Sequence, residues 1–300
     1  MISPSDNSVL QSNNDNATAA LANHPLQQFL EDSAENHPSR IAIMMHGHAI
    51  SFSELNALTD SIAAGLYATG FTTGDRASIF MPNCPQFVIA YYGILKAGGV
   101  VVTSNPLQTE RELAHQLADS QVETTFVLNK QYERLKKVQP QTRIRRVICS
   151  DIKEYLPTHL KLLLAIRKEK TSDHHAPLHS GDIAFQDLLT LGAKRDKLKH
   201  ILSGDDSALL KYGGASSDSS KAIILTHRSV VAEMITENSL TSDGTTYDPV
   251  PVSDSYDMAT AIHNCIRNAV TMLMMPRPPA QARSIHIGDT YAIIAQRESH

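Results

Sequence analysis

The residues whose spacing carries the most chemistry lie between two apolar runs, Ala208–Tyr212 and Ala222–His227. There the chain reads Gly213-Gly214-Ala215-Ser216-Ser217-Asp218-Ser219-Ser220-Lys221. Hydroxyls and main-chain N–H groups can surround phosphate oxygens, and the closing ammonium can neutralise their charge. The segment does not follow the Gly-x-x-x-x-Gly-Lys-Ser/Thr spacing of the P-loop, and a polar hairpin loop without a ligand would use the same residues. His174, His175 and His179 could meet a metal, but no Cys or carboxylate stands at ligand spacing from them, and a solvated loop accounts for them. Cys84, Cys149 and Cys265 lie too far apart for zinc-type spacing or a disulfide framework.

Hydrophobic periodicity supplies the elements that must position this loop. Leu26, Phe29, Leu30 and Ala34 have helical spacing, and Ile41–Met45 reads as a strand. Ser51-Phe-Ser-Glu54 is a capping box opening a helix with Leu55, Leu58, Ile62, Ala63 and Leu66 on one face, and Gly70 closes it. Further strands are predicted at Arg76–Met81, Val100–Thr103, Thr124–Leu128 and Arg146–Cys149. Between them lie a mostly apolar helix, Pro85–Lys96, and a helix running from a second capping box, Thr109-Glu-Arg-Glu112, to Asp119. The flanks of the loop complete the series as two strands, followed by a helix from Arg228 to Leu240. Strands alternating with helices predict an α/β class with a layered, largely parallel sheet. The strands beginning at Ala208 and Val270 are assigned to one sheet. Its unpaired edge, with the apolar run Val270–Met275, is expected to promote association.

Residues 1–23 are rich in Ser and Asn and read as a disordered tail, which leaves 24–300 as the folded domain. The tail has no basic start followed by an apolar core, so it is not a secretory signal, and a cytoplasmic location is expected. Asn16-Ala17-Thr18 spells a glycosylation acceptor that would go unused there. In the segment Lys153–Lys170, Leu156, Leu160, Leu163, Leu164 and Ile166 sit among Lys and Arg, a short basic amphipathic helix. A surface helix packed on its own sheet is the favoured reading, with weak peripheral membrane contact as the alternative. Across 300 residues, 27 Lys plus Arg and 31 Asp plus Glu leave a net charge of −4, which excludes a broadly basic nucleic-acid coat. With 42% hydrophobic and 19% charged residues the chain as a whole is not disordered. No apolar run reaches the ~18 residues of a membrane span. Glycine is scarce, 14 of 300, and the shortage falls on the loop.

The segment Tyr212–His227 resembles the AMP-dependent synthetase/ligase (adenylate-forming) superfamily, nearest the long-chain fatty-acid–CoA ligases. That family's phosphate loop reads Tyr-Thr-Gly-Gly-Thr-Thr-Gly-x-Pro-Lys-Gly, then a strand ending Leu-Thr-His, as Leu225-Thr-His227 does here. Met81-Pro-Asn-Cys-Pro through Gly99, Asn105-Pro-Leu107, Thr109–Leu113 and Asp182-Ile-Ala-Phe-Gln-Asp-Leu188 are similar to the same ligases, in the same order. The resemblance runs from about Leu26 to Pro276 and implies the first part of the adenylate-forming N-terminal domain. It implies ATP, Mg²⁺ and coenzyme A as cofactor and co-substrates, and a fatty acid as substrate. Gly214, Ser216, Ser217 and Lys221 become the candidate phosphate-binding residues; no metal-ligating residue and no catalytic residue is assigned.

Departures from the pattern point the other way. Ala215, Asp218 and Ala222 stand where the family has Gly, and Ser220 where it often has Pro. Gly tolerates positive φ and close approach of backbone to ligand better than Ala or Asp does. Two like charges ~5 Å apart at an effective dielectric near 20 repel by roughly 3 kcal/mol, which makes Asp218 a poor neighbour for triphosphate. In Pro251-Val-Ser-Asp-Ser-Tyr-Asp-Met258, Asp254 takes the place of a His that borders the acyl pocket, and Asp257 that of a Gly. A polar surface turn is the rival reading of that stretch. The sequence stops at His300, before the family's Tyr-Gly-x-Thr-Glu block, ribose-binding Asp, hinge and lid domain with its Lys. The resemblance therefore predicts a truncated ligase-like domain that is inactive alone, or a non-catalytic remnant acting as an interaction or regulatory module.

Overall fold

Strands buried on both faces and separated by helices pair in parallel through crossovers, and this chain is built that way. The computed structural model describes residues 23–157, 177–198, 202–212, 222–236, 250–252, 255–275 and 291–296. The described elements are α1 (Leu26–Asn36), β1 (Ile41–Met45), β2 (His48–Ser51), α2 (Phe52–Ala68), β3 (Arg76–Phe80), α3 (Pro85–Lys96), β4 (Val100–Thr103), α4 (Glu110–Asp119), β5 (Thr124–Leu128), α5 (Asn129–Val138), β6 (Arg146–Ser150), β7 (Ile183–Ala184), α6 (Phe185–Ala193), β8 (Ser207–Tyr212), β9 (Ala222–Thr226), α7 (His227–Thr236), β10 (Val250–Val252), α8 (Ser255–Arg267), β11 (Thr271–Met275) and β12 (Tyr291–Gln296).

They form two sheets: a seven-stranded one ordered β7-β6-β5-β3-β4-β8-β9 and a five-stranded one ordered β10-β12-β11-β1-β2. In the larger sheet only β9 runs antiparallel to its neighbour, β8. Its strands alternate cleanly between two cores. Val100, Val102, Val127, Val147 and Leu210 point to one cluster with Leu113, Leu117, Tyr132 and Leu135 of α4 and α5. Ala77, Ile79, Val101, Phe126, Ile148 and Leu209 point to the other, with α2, α3, α6 and the smaller sheet. Helix α3 is buried along its whole length, as its lack of a polar face requires.

Local signals are realised residue by residue. Thr109 and Glu112 close a complete capping box at α4. Ser51 caps α2 by accepting the Glu54 N–H at 3.1 Å. Gly70 adopts φ 84° just past the end of α2, where a side chain would be strained. Gly192 of α6 lets that helix close on α2: a Cβ there would lie 1.8 Å from the Ser61 carbonyl oxygen.

Two expectations are corrected. The strands beginning at Ala208 and Val270 belong to different sheets, because β8 pairs with β4 while β11 pairs with β1 and β12. The run starting at Val270 is therefore interior, with Val270, Met272 and Met274 buried. The apolar edge is β9 instead, where Ile223 and Ile224 are 53% and 52% exposed. The basic helix predicted over Lys153–Lys170 is described only as far as Pro157. There Ile152–Tyr155 forms one 3₁₀ turn capped by Asp151, with Tyr155 and Leu156 buried. Residues 158–170, His174, His175 and the tail 1–22 lie outside the described residues.

Candidate functional site

The loop with phosphate chemistry closes a hairpin. β8 and β9 pair from Ser207↔Thr226 to Tyr212↔Ala222, so residues 213–221 leave one strand and enter the other at the same point. Gly214, Ser216, Ser217, Asp218 and Lys221 themselves lie outside the described residues; their frame is described in full. β8 runs parallel to β4, so Tyr212 emerges at the carboxyl edge of the sheet, beside the ends of β3, β4 and β5.

That edge contains a topological switch. The connection leaving β3, helix α3, packs with Ala77, Ile79 and Val101. The connection leaving the adjacent strand β5, helix α5, leads the other way, to β6, and packs on the opposite face with Val127 and Val147. Strands whose connections diverge leave a crevice at their carboxyl ends, where α/β proteins bind ligands. Orphaned polar atoms gather here. Ser104 Oγ, just past β4, and Gln86 Oε1, in the first turn of α3, are buried without a hydrogen-bond partner. The Gln86 amide nitrogen donates to the Asp151 carbonyl at 2.9 Å. Sequence reading missed both residues; the signal available was the place of Ser104 directly after β4 and of Gln86 at the start of the helix that follows β3.

Each flank of the loop is anchored. The Tyr212 hydroxyl donates to Asp119 Oδ2 of α4 at 2.8 Å; burial and the facing carboxylate push its pKa above the usual phenol value. On the far side, Thr226 Oγ1 accepts the Ser229 N–H at 3.2 Å and starts α7. The N–H of His227 donates to the Asp206 carbonyl at 3.0 Å, and its Nδ1 accepts the N–H of Leu26 at 3.1 Å. Burial pushes the His227 pKa down to about 4, so the ring is neutral at pH 7. Arg228 makes a fork to Asp205 at 2.8 and 3.1 Å, an exposed pair that adds little stability.

The next loop along the edge, Asn105–Gln108, is strapped by α5. Arg134 Nη2 donates to the carbonyls of Pro106, at 3.0 Å, and Gln108, while its guanidinium lies 5.0 Å from the Phe80 ring centre. Asn105 Oδ1 accepts the Leu107 N–H at 2.9 Å and leaves the Leu107 side chain exposed. In the stretch Pro251–Met258, Pro251 and Val252 lie on β10, and Ser255 opens α8. Asp257 is thus in a helix, which removes the surface-turn reading for it, while Ser253 and Asp254 lie outside the described residues.

Among the described residues no three His, Cys, Asp or Glu side chains gather as a metal site. His179 is exposed, and its N–H donates to the Tyr132 hydroxyl at 2.8 Å. No described helix is long and apolar enough to cross a membrane.

Residues 30–291 match the family of AMP-binding enzymes. A long-chain-fatty-acid–CoA ligase of Bacillus subtilis is 35% identical over 222 residues, covering 71% of this chain and 38% of its own. The ligase of that name in Haemophilus influenzae is 28% identical over 263 residues, covering 83% and 46%. Among solved structures, a long-chain-fatty-acid–CoA ligase from Archaeoglobus fulgidus superposes with a TM-score of 0.66 at 18% identity, over 85% of this chain and 48% of its own. MbtA of Mycobacterium smegmatis gives 0.69 at 20% identity, over 88% and 46%. The chain spans less than half the length of each of these proteins.

Proposed function

Since the chain belongs to the AMP-binding enzyme family, we propose that it is a long-chain fatty-acid–CoA-ligase-like AMP-binding domain, inactive by itself. The reaction of that kinship joins a fatty carboxylate to the α-phosphate of ATP, releasing pyrophosphate, and then transfers the acyl group to the thiol of coenzyme A. In this reading Gly214, Ser216, Ser217 and Lys221 surround the phosphates and Tyr212 and His227 hold the ends of their loop. Mg²⁺ would arrive on the nucleotide and neutralise its phosphate oxygens. The folded portion is residues 24–300 behind a tail of 1–23, and the location is cytoplasmic, a placement supported by three buried free cysteines. The observation that carries the reading is the anchored β8–β9 hairpin, which presents this particular loop at the carboxyl edge of the sheet.

Asp218 and the Ala residues at 215 and 222 favour a second reading of the same scaffold, as a pseudoenzyme retained for interaction or regulation. Calorimetric titration with Mg²⁺·ATP separates the two. The wild type is expected to bind weakly, and Ala215→Gly/Asp218→Gly/Ala222→Gly to bind about 100-fold more tightly, the affinity equivalent of roughly 3 kcal/mol. Equal affinities in wild type, triple variant and Lys221→Ala would remove the loop from nucleotide binding.

A further inference from the structure

Two interior histidines touch no reacting group in the chemistry proposed above, though His227 anchors one end of the loop. His227 and His263 are each 1% exposed. His227 Nδ1 accepts the N–H of Leu26, the first residue of α1, across 201 residues of sequence. A ring nitrogen that accepts a hydrogen bond carries no proton, so this network assigns the single proton of the ring to Nε2. An imidazolium has no acceptor to offer, and the Leu26 N–H would be orphaned.

His263 of α8 bridges two hydroxyls of α3, with Nδ1 2.6 Å from Tyr92 Oη and Nε2 3.0 Å from Tyr91 Oη. Both phenol rings meet the imidazole edge-on, at centroid distances of 5.1 and 5.5 Å. A neutral imidazole gives one donor and one acceptor to this pair; the charged ring would offer two donors, so the hydroxyl that now donates to it must turn to accept, and the charge itself would sit in a fully buried site. The titratable groups facing the two rings are Asp206 beside His227, Tyr91, Tyr92, and each histidine to the other; Cys265 faces Tyr92. Asp206 is the anion in this set, and its carboxylate already accepts the Ser203 N–H at 2.7 Å.

We propose that His227 and His263 form an acid-sensitive latch. With both rings neutral it holds α7 and the β8–β9 hairpin against α1, and α8 against α3. Proton uptake by the rings releases α7 and α8 from these supports while the cluster under α4 and α5 keeps its packing, because the histidines beside it, His115 of α4 and His179 against Tyr132, are exposed. The latch does not depend on nucleotide binding.

Burial, with the neighbouring ring, holds His263 down to about 3, and His227 is held at about 4. Both lie below the ordinary value of about 6.5 that the unfolded chain restores. The stabilisation is complete above about 6.5 and is lost as pH falls toward 4, because unfolding then takes up two protons.

The test is urea unfolding of the full chain between pH 7.5 and 4.5, for wild type, His227→Asn, His263→Gln and the double variant. Asn keeps an acceptor for the Leu26 N–H. Between pH 6 and 5 the wild-type folding constant is expected to fall about 50-fold more than that of the double variant, and each single variant to remove about sevenfold of that difference. Equal pH slopes in wild type and double variant overturn the latch. If a variant does not fold, wild-type NMR decides. Two of the 14 histidine rings should stay neutral down to pH 5, and the Leu26 amide should lose exchange protection before those of β3–β6. All rings titrating near 6.5, or Leu26 protection that falls only with that of β3–β6, overturns it as well.

Discussion

The face of the seven-stranded sheet beneath α4 and α5 and the edge formed by β9 use similar apolar residues and reach opposite states. Val102, Leu113, Val127 and Leu135 are closed into one cluster, whereas Ile223 and Ile224 stay about half exposed on an edge strand. Packing dictates the first set, and those positions can be read from pattern alone. The second flanks the loop in which the resemblance reads departures at Ala215, Asp218 and Ala222. Burial sets the residue type in the first region and leaves it open in the second.

The comparison is broken most directly from the interior. Phe126 is fully buried and meets Phe185 edge-to-face at 6.2 Å. Phe126→Ala is expected to cost about 3–5 kcal/mol in chemical denaturation, whereas Ile223→Thr should stay within about 0.5 kcal/mol. A small loss at Phe126 would mean that the interior is not packed as described. Tyr212→Phe removes the hydroxyl bond to Asp119 and should cost about 1 kcal/mol; no loss would show that the loop flank is anchored by packing rather than by this bond.

At the edge itself, Ile223→Thr/Ile224→Lys is expected to reduce self-association in sedimentation velocity without changing stability, since charges on an exposed strand block edge pairing. Unchanged association would shift the contact away from β9. The smallest effect concerns Lys153–Lys170. Each basic residue contributes only about 1 kcal/mol near an anionic surface, so liposome co-sedimentation should be weak and disappear as salt rises. Salt-independent binding would point to apolar insertion instead.

Helix α3 and the strands β1, β4 and β5 were legible to the residue, because their apolar runs end at Pro, Gly or capping residues. Helix α5 was not: in Asn129–Val138 only Tyr132, Leu135 and Val138 are buried, too few to stand out among its charges. The β1–β2 hairpin was hidden in a short turn at His46 and Gly47, with φ 50° and 84°. Sheet membership of β8 and β11 was misread because partners 100 or more positions apart in sequence leave no local trace. His227 was visible only as part of a Leu-Thr-His ending; its bond to Leu26 depends on a contact between the first and seventh helices. Of the candidate site, the residue types of the loop were legible and the anchors that hold it were not.

We propose that this AMP-binding-family scaffold carries a loop that does not support adenylation. The measurement that tests it is ATP–pyrophosphate exchange with a long-chain fatty acid and Mg²⁺, on the wild type, Lys221→Ala and Ala215→Gly/Asp218→Gly/Ala222→Gly. Positioning of triphosphate against carboxylate can supply ~7–11 kcal/mol of rate enhancement, so exchange is a sensitive readout of an intact site. The account predicts no exchange above the Lys221→Ala background in the wild type, and tighter ATP binding without turnover in the triple variant. Wild-type exchange well above that background would contradict it and make the chain an active adenylating enzyme.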